Sequence, residues 1–126
     1  MDLQIIDGDF SICKVDNVKE IDFSDKFMFF AKTYDEISLV CKTSKLPAKF
    51  ISVEYGWNVL RVVGNLDFGL VGIVANISNV LAQAQISIFV VSTFNTDYIL
   101  MKSGDFSRGI SVLESNGYNI KKIMIK

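Results

Sequence analysis

Histidine is absent from this sequence of 126 residues, and its absence removes several kinds of chemistry. Without histidine the chain lacks the commonest general base and the commonest ligand for transition metals. Its two cysteines are too few for a four-ligand zinc site. Neither a Rossmann glycine fingerprint nor a phosphate-binding lysine loop occurs. The composition therefore argues against an enzyme, a metal site and a cofactor, and leaves open only a mechanism built on carboxylates alone.

Charge and hydropathy point away from nucleic acid and membranes. The 13 basic and 14 acidic residues are interspersed and leave a net charge of −1, so no basic patch for phosphate groups is expected. No run of about 18 apolar residues occurs, and the N-terminus lacks the pattern of a signal peptide. Half of the residues are apolar, which is enough for a core and a subunit interface. We expect a soluble, cytoplasmic protein with neither a nucleic-acid nor a membrane partner.

The two cysteines lie in apolar, strand-like runs. Cys13 belongs to SICKV and Cys41 to ISLVCK. Buried and reduced thiols are the expectation for such positions in a cytoplasmic protein. A disulfide between them stays open, because the sequence does not give the distance between the two sulfur atoms.

The C-terminal half has the clearest alternation of strands and helices. WNVLRVV, ISIFVVSTF, YILMK and YNIKKIMIK predict strands, with a turn at NTD. Apolar residues at helical spacing after Asp67 predict a helix with Asp67 as its N-cap. Phe106, Ile110 and Leu113 predict a second helix, and Gly117 marks its end. This order is that of a ferredoxin-like (βαββαβ) unit, an antiparallel sheet with helices on one face.

The N-terminal half repeats this pattern in reduced form. AKTYDEISLVCK at residues 31–42 and VSTFNTDYILMK at residues 91–102 share their length, a threonine, an aromatic residue, an Asp or Asn, and a final lysine. DNVKEIDFS fits one short helical turn, Pro47 limits a helix in SKLPAKF, and ISVEY supplies a closing strand. Unrelated hairpins can look alike, yet the shared turn favours duplication. The predicted class is α+β, with a degenerate N-terminal lobe at residues 1–56 and a C-terminal lobe at residues 57–126.

Two stretches of the chain resemble a known family. LRVVGNLDFGLVGIVANISNVLAQAQISIFVVSTFNTDYILMKS, together with FFAKTYDEISLVC, resembles the tandem ACT-domain family, small bacterial two-lobe proteins related to the CASTOR amino-acid sensors and to the regulatory lobes of aspartokinase. The resemblance is weakest over residues 2–26. It implies ACT lobes in tandem that bind a free amino acid where two units meet, form homodimers and catalyse no reaction. Val71 stands where the related proteins often carry threonine, so one hydroxyl contact would be missing.

Two short segments are candidates for the ligand site. Backbone amides and glycines at the predicted helix start would hold a carboxylate. Polar groups in the turn between the two central strands would hold an ammonium group or a basic side chain, and Asp97 is the expected contact for that positive end. The predicted binding residues are Asp67, Phe68, Gly69, Leu70, Val71 and Gly72 in the first segment, and Thr93, Phe94, Asn95, Thr96 and Asp97 in the second.

Each candidate also has a structural explanation. Asp67 fits a helix cap, the turn residues fit a hairpin, and the glycines fit close packing of helix on sheet. Residues 33–36 occupy the equivalent turn of the first lobe and are a candidate second site. Two other functions stay open. One is a ligand-free module that docks on a metabolic enzyme through sheet edges and the FMFF strand; the other is a ferredoxin-like RNA reader, for which the central strands carry too little charge.

Overall fold

The computed structural model describes residues 1–63 and 72–123. The strands in these ranges are β1 Asp2–Val15, β2 Phe29–Lys32, β3 Ile37–Lys42, β4 Ser52–Val62, β5 Ile88–Ser92, β6 Asp97–Lys102 and β7 Asn119–Ile123. The helices are α1 Ile73–Gln83 and α2 Ser103–Ser115, and two 3₁₀ turns span Val18–Glu20 and Thr43–Lys45. The predicted α+β class is confirmed.

The chain divides into two compact units. The N-terminal unit is Gly8–Trp57, and the C-terminal unit combines Met1–Asp7 with Asn58–Lys126. β1 and β4 contribute residues to both units, because their bounds cross these divisions. The sequence placed residues 1–7 in the first lobe, whereas in the structure they belong to the C-terminal unit.

The sheet of the C-terminal unit contains one strand more than a βαββαβ unit requires. Its strands hydrogen-bond in the order β7-β1-β4-β6-β5. The first residues of β1 lie between β7 and β4, and the amide of Val63 donates to the carbonyl oxygen of Asp2 at 3.0 Å. β1 pairs with β7 in parallel, with Asp2 opposite Asn119. This parallel pair corrects the prediction of purely antiparallel sheets, because the inserted N-terminal strand runs in the same direction as β7.

The core of the C-terminal unit forms where α1 and α2 pack on the sheet. Ile77 and Leu81 of α1 and Leu113 of α2 are fully buried. Burying one such side chain contributes about 1.5–3 kcal/mol. The sheet residues that pack with them in the same cluster include Leu3, Leu60, Val62, Ile99 and Met101. Alternate residues of the strands therefore face the helices, as the sequence pattern predicts.

The sequence predicted the end of α2 correctly but not the start of α1. α1 begins at Ile73 with Gly72 at the N-cap, and the amide of Asn76 donates to the carbonyl oxygen of Gly72 at 2.8 Å. The prediction of Asp67 as the N-cap was therefore wrong, because Gly72 occupies that position. Asp67 itself lies outside the described residues. The predicted end of α2 is confirmed, because the amide of Gly117 donates to the carbonyl oxygen of Glu114 at 3.1 Å in a C-terminal cap.

The N-terminal unit has a matching strand order without α-helices in its described structure. Its strands lie in the order β2-β3-β1-β4. The first strand of the unit therefore lies next to the third, and the third next to the second. In the C-terminal unit β4, β6 and β5 are neighbours in the same way. The two 3₁₀ turns lie in the β1–β2 and β3–β4 connections, which correspond to the connections that contain α1 and α2 in the C-terminal unit. Asn17 caps the first turn by accepting a hydrogen bond from the amide of Lys19 at 2.9 Å. The prediction of one short helical turn within DNVKEIDFS is confirmed.

One strand runs where the sequence predicted two. All of ISVEY except Ile51 and all of WNVLRVV except Val63 belong to β4, which continues through Gly56 at a φ of 78°. β1 likewise continues through Gly8 at a φ of 117°. A residue without a Cβ adopts positive φ at little cost, so each glycine can deform its strand locally without ending it. The prediction of two separate strands on either side of Gly56 was wrong.

The core of the N-terminal unit contains both thiols. Cys13 and Cys41 are buried and free, in one cluster with Leu39. Burial raises the pKa of both thiols, that of Cys41 to about 11. The prediction that both cysteines are buried is confirmed.

Candidate functional site

The repeated sequence forms two hairpins with the same register. Lys32 lies opposite Ile37 at the end of one hairpin, and Ser92 lies opposite Asp97 at the end of the other. Three consecutive buried residues occupy the same positions in β3 and β6. The sequence therefore predicted correctly that these two segments fold alike.

A threonine closes each turn in the same way. The amide of Thr33 donates to the carbonyl oxygen of Glu36 at 2.9 Å, and the amide of Thr93 donates to that of Thr96 at 2.8 Å. Each threonine hydroxyl also donates to the same carbonyl oxygen, at 3.4 Å from Thr33 and 3.0 Å from Thr93. Thr93 thus has the turn-forming role that was the alternative to ligand binding.

Thr96 ties its turn to the end of β4. Its hydroxyl donates to the carbonyl oxygen of Val62 at 2.6 Å, and the residue is only 3% exposed. Val62 is the last residue of β4, from which the chain leads towards α1. The bond places the predicted turn beside the end of β4.

The other predicted binding residues differ in exposure, and five of them lie outside the described ranges. Phe94 is 79% exposed, Asn95 is exposed, and Asp97 is half-buried at the start of β6. Within residues 1–63 and 72–123, no hydrogen bond or ion pair engages the carboxylate of Asp97. The predicted residues outside the described ranges are Asp67, Phe68, Gly69, Leu70 and Val71.

A cavity of about 280 Å³ lies at the beginning of α1. Its lining includes no charged side chain among the residues described, but two side-chain amides. The first amides of a helix have no partner within the helix and carry the positive end of its dipole, so this end of α1 suits an anionic group. The lining residues are Met1, Ile73, Asn76, Asn116, Gly117 and Tyr118.

Residues 116–118 of the α2–β7 connection line this cavity and were not predicted from the sequence. The side-chain amide of Asn116 donates to the carbonyl oxygen of Val112 at 2.8 Å, and the backbone amide of Asn119 donates to that of Met1 at 3.0 Å. These bonds hold the connection and the N-terminus in place. Gly117 was the available signal, because the second helix of a βαββαβ unit ends at the same end of the sheet where the first begins.

A half-buried arginine near the end of β4 has an unused donor. Nη1 of Arg61 donates to Oε1 of Gln4 at 3.3 Å, and Gln4 is 5% exposed. Nε of Arg61 is buried and has no acceptor in the part of the chain that the structure describes. Buried donors are usually paired, so this nitrogen is a site where an anionic group would be stabilised.

The equivalent turn of the N-terminal unit borders a cavity of the same size, about 280 Å³. Both signs of charge line it, in contrast to the cavity at α1. Its lining is Lys14, Val15, Asp16, Lys32, Thr33, Tyr34, Asp35, Glu36, Ile37 and Ile51. A neighbouring cavity of about 240 Å³ shares Asp16 and Ile51 with it. The candidate second site at residues 33–36 therefore lies at a cavity.

Two further properties bear on the kind of site. The described ranges hold no group of three or more Cys, Asp or Glu side chains placed to bind a metal ion. No helix in the same ranges has the length and apolar character needed to cross a membrane.

A sequence profile of the ACT domain matches residues 52–115, just over half of the chain. The chain belongs to the ACT-domain family. The ACT match includes all of β4, both helices and the β5–β6 hairpin. No curated protein has a matching sequence.

Solved structures share the fold of this ACT-domain chain. Protein Atu0741 from Agobacterium tumefaciens is 28% identical, with 98% of this chain and 94% of that chain covered and a TM-score of 0.86. VC0802 from Vibrio cholerae, a protein of unknown function, is 17% identical over 88% of this chain and 85% of its own, with a TM-score of 0.70. Aspartate kinase from Clostridium acetobutylicum is 13% identical, with 86% of this chain but 33% of the kinase covered and a TM-score of 0.64. At these identities the last two similarities show the fold alone.

Proposed function

We propose that this ACT-domain protein is a regulatory sensor that binds a free amino acid and catalyses no reaction. The observation that carries the proposal is the cavity of about 280 Å³ at the beginning of α1, a helix that lies in the range matched by the ACT profile. The first amides of α1 supply donors for a carboxylate. The aspartate kinase that shares this fold is described as an allosteric enzyme, which supports a regulatory role.

Two parts of the site would recognise the two ends of the amino acid. The amides that follow Gly72 would hold the carboxylate, and the carboxylate of Asp97, with Asn95 beside it, would hold the ammonium group. Thr93 and Thr96 would fix the turn through their hydrogen bonds rather than contact the ligand. The predicted contacts at Asp67, Phe68, Gly69, Leu70 and Val71 remain part of this proposal.

We further propose that the two units are ACT lobes in tandem and that the N-terminal lobe is degenerate. The common strand order, the equal hairpin registers and the threonine turns support duplication. In the N-terminal unit 3₁₀ turns stand in place of α-helices, so this lobe would lack a helix start with free amides. A relation to the CASTOR sensors and lobes at residues 1–56 and 57–126 belong to the same proposal, with residues 1–7 of the first lobe adding a strand to the C-terminal unit.

The proposed form of the protein is a cytoplasmic homodimer. β2 is the last strand in the order of the N-terminal unit and β5 in that of the C-terminal unit, and edge strands offer unpaired backbone groups to a second chain. The free thiols of Cys13 and Cys41 suit a reducing compartment. Gel filtration with light scattering tests the assembly, and a single species of 14.1 kDa would contradict the dimer.

Thermal denaturation with each of the twenty amino acids tests the proposed function. A ligand at 100 times its dissociation constant stabilises a protein by about 2.7 kcal/mol, which raises the melting temperature of a chain of this size by about 5 °C. Asp97→Asn should abolish the response, whereas Glu114→Gln, an exposed position on α2, should preserve it. If no amino acid raises the melting temperature, the proposal is wrong.

The N-terminal unit has a feature that favours a second candidate function, a ligand-free module that docks on a metabolic enzyme. Phe23 and Phe30 are both exposed and make an edge-to-face contact with ring centroids 5.3 Å apart. Phe30 belongs to β2, whose outer edge no described strand covers. An absence of any amino-acid response, together with weaker binding of a purified target enzyme by Phe30→Ser, would favour this function.

A further inference from the structure

We propose that an amphipathic α-helix of a partner protein, with carboxylates on its polar face, docks on the aromatic pair Phe23–Phe30 of the N-terminal unit. The two rings are in edge-to-face contact with centroids 5.3 Å apart, and Phe23 is 55% and Phe30 41% exposed. The inference rests on the second candidate function above, the docking module, and names its partner. It does not depend on amino-acid binding by the C-terminal unit.

The two repeated hairpins show which face of the sheet carries Phe30. Aligning the repeats places Phe30 at the position of Val90, and the register is the same, since Phe30 lies opposite Leu39 and Val90 opposite Ile99. Ile99 belongs to the buried cluster to which both helices of the C-terminal unit contribute. Phe30 therefore lies on the face that corresponds to the helix-covered face of the other unit.

The cover of this face is thinner in the N-terminal unit. The β1–β2 connection contains a 3₁₀ turn in place of α1, and from this connection Ile21 is buried beside Leu39 and Met28 packs partly against them. Val90 is half-buried, whereas Phe30 is exposed although it is larger. Sheet faces that carry apolar side chains are buried by a second layer, and in the C-terminal unit that layer is helical. A helix is therefore the expected occupant of the equivalent face.

A free cation beside the aromatic pair selects the charge of the partner. Lys32 lies two residues after Phe30 on the same face of β2 and forms no ion pair within residues 1–63 and 72–123. Asp22, the residue before Phe23, is already engaged, because its Oδ1 accepts a hydrogen bond from the amide of Ser24 at 2.9 Å. A helix with carboxylates beside its apolar stripe would pair with Lys32.

The aromatic pair suits the role of an interface anchor. A phenylalanine ring buries about 150–250 Å² when it is fully covered, and aromatic residues contribute most to binding at many interfaces. The contact between Phe23 and Phe30 exists before a partner arrives, so the rings lose little conformational freedom on binding. A helix recognised in this way presents apolar residues at positions i, i+3, i+4 and i+7.

The test is an NMR titration of the ¹⁵N-labelled full chain with a synthetic helical peptide of about five turns. Leucine at positions i, i+3, i+4 and i+7, with alanine and glutamate elsewhere, gives this peptide one apolar stripe on an acidic helix. We expect saturable shifts of the amides at residues 22–32. One control peptide has its leucines scattered around the helix and another has a central proline, and each should bind about tenfold or more weakly. No saturable shift, or equal affinity of either control peptide, would overturn the inference.

Matched variants of the chain test the aromatic contact. Phe23→Ser and Phe30→Ser should each weaken peptide binding by about tenfold or more. Tyr34→Ser is the control, because Tyr34 is a fully exposed aromatic residue in the β2–β3 turn, and it should leave the affinity unchanged. Unchanged affinity in both phenylalanine variants would overturn the inference. If a target enzyme binds through Phe30 but the peptide does not bind, the docking function stands and the helical partner is wrong.

A charge swap tests the contact with Lys32. A peptide with glutamine in place of glutamate should bind about two- to fivefold more weakly, the size expected for an exposed ion pair. In Lys32→Met the two peptides should bind equally, because the cation is gone while most of the hydrocarbon stem remains. An unchanged difference between the peptides in this variant would overturn the charge assignment.

Discussion

The hydroxyl of Thr96 donates a buried hydrogen bond to the carbonyl oxygen of Val62 across 2.6 Å. Thr96→Val keeps the shape of the side chain but leaves that carbonyl without its donor. We predict a loss of about 1–3 kcal/mol in the free energy of unfolding, measured by urea denaturation. Thr93→Val is the control, because Thr93 is exposed and its backbone amide still bonds the turn carbonyl. Equal losses in the two variants would contradict the role assigned to Thr96.

Gly109 allows α2 to pack closely on β6. A Cβ at this position would overlap the sulfur atom of Met101, which is fully buried. Gly109→Ala should therefore destabilise the protein by about 1–3 kcal/mol through overpacking. Gly104→Ala is a matched control in the same helix, since its Cβ would meet no atom within 4 Å. That variant should be neutral or gain up to about 1 kcal/mol of helix propensity, and a loss like that of Gly109→Ala would refute the packing explanation.

Leu3 tests whether the first residues of β1 belong to the C-terminal core. It is fully buried and packs in the cluster that contains Ile77 and Leu113. Leu3→Ala should lower the free energy of unfolding by about 2–5 kcal/mol. Asp7→Ala, an exposed change in the same strand, should cost less than about 0.5 kcal/mol. A small effect of Leu3→Ala would show that residues 1–7 are dispensable for this unit.

The buried thiol of Cys41 makes stability depend on alkaline pH. Burial raises its pKa from 9.0 to about 11, so the unfolded chain releases this proton at a lower pH than the folded chain does. The contribution of the thiol is complete below about pH 9 and is lost as the pH rises to about 11. We expect the difference in unfolding free energy between the wild type and Cys41→Ala to decrease by about 2 kcal/mol between pH 8 and pH 11.

A substitution at a residue without a titratable side chain provides the control for this pH dependence. Leu39→Ala removes a buried side chain of the same cluster, so its difference from the wild type should stay constant over the same pH range. If both differences stay constant, Cys41 does not titrate as its burial requires.

Local sequence signals predicted the elements that are stabilised by nearby residues. The threonine turns, the degenerate helices of the N-terminal half and the C-terminal cap at Gly117 each depend on contacts within a few residues. The same local character explains why the turn predicted between the two central strands is found at residues 93–96.

Long-range pairing determines the features that the sequence did not show. Nothing local indicates that the first residues of β1 insert between β7 and β4, since their partners lie far along the chain. Gly56 is consistent either with a strand end or with a continuous, deformed strand, and neighbouring strands decide between them. The cavity at α1 was missed for the same reason, because it is shared by Met1, α1 and the α2–β7 connection.

The pairing of β1 with β7 has a consequence for the order in which the protein can form on the ribosome. The side-chain amide of Asn119 donates to Oδ1 of Asp2 at 3.2 Å, between residues 117 positions apart. The N-terminal unit consists of contiguous residues and can therefore assemble early in synthesis. The C-terminal unit joins residues 2–6 to residues 119–123, so it can close only after residue 123 has left the ribosome. Until then residues 2–6 lack their parallel partner strand β7.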